Sequence, residues 1–250
     1  MGMHSKVPKQ QGEDRRDFDT TSLREGTHGR VVHRDYGAHF FRWGFATRMI
    51  KRGWRVLDVG CGADQALMMA LQYRPTNIPS ELVAVDYGRV KPRLSKKWFT
   101  LVPEFDFTRR WRELGHGTFD CACCLEVIEH MQPAHGRRLL RGLIGCLKPG
   151  GVCLLSTPVF DPKVGMAQNH IHEYGLEELE REIVRAGFVI ERRFGTFQTA
   201  LQARRARPEH RAVWEELRAY YSDDVLACFL APLYPDQSRN NMWVLRRPEE

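Results

Sequence analysis

Residues 56–67 read VLDVGCGADQAL. Val56, Leu57 and Val59 make a short apolar run interrupted only by Asp58, and Gly60 and Gly62 then flank Cys61 before Ala66 and Leu67 resume an apolar pattern. A buried strand that turns at once into a helix has this form. Glycines at such a turn let the backbone bend tightly and let a ligand approach it closely. The spacing is Asp-x-Gly-x-Gly. It lacks the third glycine of G-x-G-x-x-G, which disfavours a dinucleotide pyrophosphate as the ligand. A glycine pair alone also occurs at ordinary strand–helix turns, so the surrounding sequence has to decide.

Outward from this unit, strand and helix patterns alternate. Residues 1–30 are polar, contain turn formers, and read as a flexible tail, with residues 31–250 as one domain. Phe40, Phe41, Trp43, Phe45, Met49 and Ile50 fit an amphipathic helix ending near Gly53. After the strand at residues 55–60 a helix is expected from about Asp64, then a strand ELVAVD at 81–86 and a basic helix over Lys91–Trp98. LVPEF at 101–105 is expected as a third strand and FDCACCLE at 119–126 as a fourth. Leu139, Leu140, Leu143, Ile144 and Leu147 recur at helical spacing, and Lys148-Pro149-Gly150-Gly151 stops that helix. VCLLSTP at 152–158 is a fifth strand, Leu176, Leu179, Ile183 and Val184 mark a helix closed by Gly187, and FVIERRFG and NMWVLRR supply the last strands. Short, wholly apolar strands alternating with helices predict a doubly wound α/β sheet covered on both faces. Such sheets bind ligands beyond the carboxyl ends of their strands.

Composition bounds the rest. The chain has 250 residues, 42% of them hydrophobic and 28% charged, which describes a globular protein. No apolar run approaches the ~20 residues that span a bilayer. The first residues lack the apolar core of a secretory signal, so the expected location is the cytoplasm. Seven cysteines are an odd number; Cys121 and Cys124 form a CxxC inside an apolar run and read as small buried hydrophobes in a reduced compartment. The net charge of +7 is concentrated in residues 89–113, with eight Lys/Arg against three acids, and in residues 137–148, with four against none. That surplus suits a polyanionic partner or a solvated helix face. Arg109-Arg110-Trp111-Arg112 is the best basic–aromatic cluster, and it is small.

Three acids stand at the ends of successive expected strands: Asp58, Asp86 and Asp106. An acid ending the second strand suits a ribose, because a carboxylate accepts from both hydroxyls. Asp106 with Phe107 suits an adenine, the acid accepting from the amino group and the ring packing the face. Each acid alone is commonly a helix cap or turn residue. Together, VLDVGCG, VAVDYG, FDFT, FDCACCLEVIEH and LKPGGVCLLSTP resemble the class I S-adenosylmethionine-dependent methyltransferases over residues 35–195 and the last strand. The resemblance implies a Rossmann-like, seven-stranded sheet with an antiparallel last strand. It places Gly60, Cys61 and Gly62 under the methionine part of the cofactor, Asp86 at the ribose, Asp106 and Phe107 at the adenine, Tyr87 beside the adenine and Leu125 at the cofactor's flank. Asp58 is expected to orient the glycine loop.

The acceptor side centres on CLEVIEHMQP, residues 124–133. No Asp/Asn-Pro-Pro-Tyr/Phe stands there, which disfavours amino-directed methylation of nucleic acid, and no Pro-Cys follows the strand, which disfavours carbon-5 cytosine chemistry. Glu126, Glu129 and His130, at i, i+3 and i+4, would share one helix face. Two carboxylates and an imidazole suit a hard divalent cation, Mg²⁺ or Mn²⁺, which would lower the pKa of a bound hydroxyl. His170 and His172 lie in the loop after the fifth strand. The set resembles two branches of the family: the small-RNA 2′-O-methyltransferases and the O-methyltransferases of ubiquinone biosynthesis. By that resemblance His170 is the fourth ligand, with Glu126, Glu129 and His130. Without a metal, His130 or His170 would serve as general base, and structural packing is the bland alternative.

Residues 196–240 form a helical insertion between the sixth and seventh strands, with six Arg and six acids. A helix over Pro208–Tyr221 would place Val213, Trp214, Leu217, Tyr220 and Tyr221 on one face. Trp214, Phe229 and Tyr234 would wall a substrate pocket, or else pack the insertion down or form a dimer surface. The leading expectation is an O-directed methyltransferase acting on a small or medium-sized molecule. A nucleic-acid methyltransferase and a non-catalytic cofactor-binding scaffold are the alternatives.

Overall fold

Five-residue apolar runs build the centre of the sheet. In the computed structural model, which describes residues 27–28, 31–32, 36–197 and 206–250, strand β1 is Arg55–Val59 and β2 is Glu81–Val85, each with its last four residues buried. Strand β3 is Phe99–Val102, β4 Phe119–Leu125, β5 Leu147–Pro158, β6 Val189–Phe197 and β7 Asn240–Arg246. They form one seven-stranded sheet in the order β3-β2-β1-β4-β5-β7-β6. All neighbours from β3 to β5 pair in parallel, and β7 runs antiparallel to both β5 and β6.

The chain starts at the middle of the sheet, winds outward through β2 to β3, and then returns to β4 on the other side of β1. Strand order therefore reverses between β1 and β4, where a crevice opens at the carboxyl ends. Register aligns the ends: Val59 lies opposite Val85 on one side and Cys124 on the other.

Alternation along the strands divides the core into two layers. Leu57, Val59, Val83, Val85, Cys124 and Leu155 face the layer closed by helices α3 (Pro133–Cys146) and α4 (Leu176–Arg185). Val56, Leu82, Cys121, Cys123 and Leu154 face the layer closed by helices α1 (Tyr36–Met49) and α2 (Ala66–Gln72). Cys121 and Cys124 thus point to opposite faces of β4, so this CxxC cannot chelate one ion. All seven cysteines are free and buried.

Several boundaries differ from the sequence reading. No helix forms over Lys91–Trp98. The Gln65 side chain donates to the Lys91 carbonyl at 2.6 Å and accepts the Arg93 N–H at 2.9 Å, which holds the chain around Pro92 in an irregular path. Gln65 itself is left-handed, at φ 45°, and α2 starts only at Ala66. The third strand is Phe99–Val102, because Pro103 has no N–H to extend the ladder. Among its described residues the insertion carries the helices α5 (Pro208–Leu217) and α6 (Asp223–Leu230). Of its expected apolar face, Trp214 is buried, but Val213 and Tyr220 are 50% and 78% exposed. Trp214, Leu226, Ala227 and Cys228 pack with Ala38 of α1 and Phe197 of β6, a small separate core. Of the tail expected over residues 1–30, only Thr27–His28, paired with Val31–Val32, lies within the described residues. Among the described residues no helix is long and apolar enough to cross a membrane.

Candidate active site

The glycine loop is stitched to the neighbouring strand end. Gly60 and Cys61 donate their N–H groups to the Val85 carbonyl, at 2.8 and 3.3 Å. Asp86, 7% exposed, accepts the Gly62 N–H on one oxygen at 2.8 Å and the Gly88 N–H on the other at 2.7 Å. Gly60 has φ +72°, and a Cβ there would sit 2.4 Å from Val127 Cγ2, so the position requires glycine. Gly62, at φ +65°, has open space where its Cβ would stand. The loop therefore presents bare backbone to the crevice.

Charge at this end is crowded. Burial, then the charge of Asp86, pushes the Asp58 carboxyl up to about 7. Burial also raises Asp86, partly offset by its bonds from Gly88 and Gly62. Burial, with Asp58 and Asp86 adding to it, pushes the Cys61 thiol far up, so it stays a thiol and is no nucleophile. The third strand end is tied in by the Phe105 N–H, which donates to the Asp86 carbonyl at 2.8 Å. Asp106 accepts from both the N–H and the hydroxyl of Thr108, at 2.7 and 2.6 Å. Phe107 is 3% exposed and packs on Phe105 in the core, whereas Tyr87 and Leu125 are half-buried.

Residues 126–130 do not share one helical face. Glu126 adopts φ +57°, and only Ile128–His130 forms a single 3-10 turn. That backbone separates the two glutamates. Glu126 accepts from the Ser156 hydroxyl and the Asn240 amide, both at 2.8 Å, and lies 3.7 Å from an Arg42 nitrogen. Glu129 is fully buried on the other side, where Thr157 donates to its Oε2 at 2.9 Å. The Glu129 carbonyl accepts the N–H groups of Ile171 and His172, at 2.8 and 3.1 Å, and so pins the loop that carries His170. Ligand atoms of Glu129, His130 and His170 all lie within 4.8 Å of one another. Glu126, expected in the same set, is outside it.

Each histidine of this trio is held by its Nδ1. His130 Nδ1 meets the Asn169 carbonyl at 3.1 Å, and His170 Nδ1 meets Glu173 Oε1 at 2.6 Å. A carbonyl or a carboxylate only accepts, so both Nδ1 atoms carry hydrogen. Burial raises Glu173, but bonds from His170, the Ala167 N–H and Arg239 outweigh it and hold the carboxyl down at about 2. His172 bonds Glu178 at 3.0 Å, at the start of α4, and is not in the trio.

The fold matches known proteins. A family model described as a methyltransferase domain matches residues 34–192. The chain belongs to the methyltransferase domain family. It carries the domain of enzymes that transfer methyl groups. No curated protein sequence matches this methyltransferase. Among solved structures, a SAM-dependent methyltransferase from Mesorhizobium loti aligns with TM-score 0.56 and 18% identity, over 86% of this chain and 100% of that one. One from Archaeoglobus fulgidus aligns with TM-score 0.55 and 16% identity, over 86% and 95%. The [4+2]-cyclase SpnF aligns with TM-score 0.59 and 19% identity, over 90% and 85%. At these identities the likeness establishes the fold, and the cyclase shows that the fold does not fix the reaction.

Five residues that matter to this methyltransferase's crevice were not singled out from the sequence: Arg42, Thr157, Glu173, Arg239 and Asn240. Ser156-Thr157, two hydroxyls at the end of an apolar strand, were a usable signal, as was Glu173 three residues after His170. Arg42, Arg239 and Asn240 reach the crevice from distant elements and carried none.

Proposed function

We propose that this methyltransferase acts on an oxygen of a small or medium-sized acceptor, with a divalent cation held by Glu129, His130 and His170. The observation that carries the reading is the convergence of these three side chains within 4.8 Å beside the crevice. An amine can attack a methyl group through its free lone pair, but a hydroxyl must lose its proton to do so well. A carboxylate with two imidazole lone pairs serves that need, whether it binds a cation or accepts the proton directly.

The residues present suit both groups. For the cofactor, Gly60 and Gly62 offer an open backbone, Asp86 keeps spare lone pairs for ribose hydroxyls, and Asp106 and Tyr87 stand on the adenine side. S-adenosylmethionine supplies the methyl as an electrophile on a sulfonium. Bringing an oxygen in line with it is a matter of positioning. For the cation, two imidazoles and one carboxylate suit Mn²⁺ or a similar borderline ion better than Mg²⁺, which prefers oxygen donors. Such a cation would stabilise the acceptor oxygen as an anion. Leu125-Glu126-Val127-Ile128, in place of an Asn-Pro-Pro-Tyr motif, argues against an amino-directed nucleic-acid enzyme.

Labelled methyl transfer from S-adenosylmethionine to cell-extract fractions tests the reading. Label should enter the small-molecule fraction, vanish with EDTA and return with Mn²⁺. Full transfer in chelator would remove the cation. Label confined to RNA or DNA would overturn the acceptor class, and cofactor binding with no transfer to any fraction would favour a scaffold.

A further inference from the structure

We infer that Glu173 and Arg239 are positioning residues that fix which nitrogen of His170 faces the active centre. The inference rests on the reading of His170 as a working group of that centre. His170 sits on an irregular stretch between β5 and α4, with no strand or helix to hold its ring. What holds it is a carboxylate. Glu173 has a fully buried side chain on which donors converge from three directions: His170 Nδ1 at 2.6 Å and the Ala167 N–H at 3.1 Å on Oε1, and Arg239 at 2.5 Å on Oε2. With donors on both oxygens, Glu173 acts as an acceptor towards the ring. His170 must therefore present a hydrogen at Nδ1, and in its neutral form its lone pair lies at Nε2.

Arg239 comes from the far end of the insertion, at the entry to β7. Its guanidinium also donates to the carbonyls of Val159 and, at 3.1 Å, Gly165, the two sides of the same loop. Its own backbone is fixed as well: its N–H donates to the Phe197 carbonyl at 2.9 Å, and its carbonyl accepts the Val159 N–H at 2.8 Å. One side chain thus clamps the loop at both shoulders and orients the carboxylate that orients the ring. The insertion contributes to the active centre through this residue, in addition to its own small core around Trp214.

The test is a long-range ¹H–¹⁵N correlation spectrum of the histidine rings in labelled protein, at a pH where the rings are neutral, with His170 assigned by its loss in His170→Ala. In the wild type His170 should show a protonated-type Nδ1 and a lone-pair-type Nε2. Glu173→Met removes the acceptor, whereas a glutamine amide oxygen would still accept from the ring. Glu173→Met should move His170 Nε2 towards the protonated position, while the folded-state melting transition is retained. Arg239→Met, which leaves Glu173 in place but unclamped, should give a mixture of the two forms. Mn²⁺ titration of the same proteins should show affinity reduced by roughly 10–100-fold in Glu173→Met. Unchanged His170 nitrogen shifts in both variants would overturn the inference. A wild type that binds no Mn²⁺ would overturn the cation in the proposed function, and the nitrogen shifts would still decide the role of Glu173.

Discussion

His130 and His170 meet edge to face, with ring centroids 5.0 Å apart and planes at 86°, although one follows β4 and the other lies beyond β5. Each is tethered through Nδ1, and ligand atoms of both rings lie within 4.8 Å of one another and of a Glu129 oxygen. If these three groups take a cation, His130→Ala and His170→Ala should each lower Mn²⁺ affinity by at least about 10-fold, as loss of one of three protein ligands would. Calorimetric titration checks this, and His172→Ala, whose ring bonds Glu178 instead, should leave the affinity unchanged.

Asp86 binds two loops through one carboxylate, and the proposal adds the cofactor ribose to its partners. Asp86→Ala should weaken S-adenosylmethionine binding by roughly 10–100-fold, the scale of one or two charge-assisted hydrogen bonds. Unchanged affinity by calorimetry would contradict the ribose role.

Asp58 makes the pH dependence of stability specific. Its folded-state value of about 7 lies above its ordinary 3.8. Between those values the native protein binds a proton that the unfolded chain does not, so this group makes stability fall as pH rises from about 4 to about 7. Above about 7 the native state carries the whole cost, roughly 4 kcal/mol at most. Asp58→Asn should remove that slope and raise the melting temperature more at pH 8 than at pH 4. Thermal unfolding at the two pH values measures it, and equal gains would contradict the assignment.

Glu126 stands in a buried polar cluster with Arg42, whose side chain is almost fully enclosed. Arg42→Met should cost on the order of 2–3 kcal/mol, because it leaves the Glu126 charge without its cation. Adding Glu126→Gln should recover part of that loss. A double-mutant cycle by denaturant unfolding reads the coupling, and additive losses would show that the pair is not energetically joined.

Most of the architecture was legible in the sequence because it is written in local pattern. Short apolar runs such as Val56–Val59 and Leu82–Val85, alternating with helical patterns, read as strands buried on both faces, and Gly60 and Gly62 mark the turn that follows. Two features depended on contacts that local pattern does not encode. Gln65 captures residues 91–93 by side-chain bonds, so a segment that reads as helix does not form one. Glu126 takes a left-handed backbone, so an i, i+3, i+4 spacing does not become one face. The trio of Glu129, His130 and His170 was visible as residue types, but its separation from Glu126 and its support by Thr157, Glu173 and Arg239 arise from strand order and loop packing.

If Glu129, His130 and His170 form one cation-binding set at the methyl-transfer crevice, a metal will be visible on all three. The most direct measurement is the anomalous difference density of crystals grown with Mn²⁺ and S-adenosylhomocysteine. One manganese peak is expected, bonded to a Glu129 oxygen and to the Nε2 atoms of His130 and His170, with Glu126 uncoordinated. Fully occupied cofactor with no peak at these atoms, or a peak on Glu126, would contradict it.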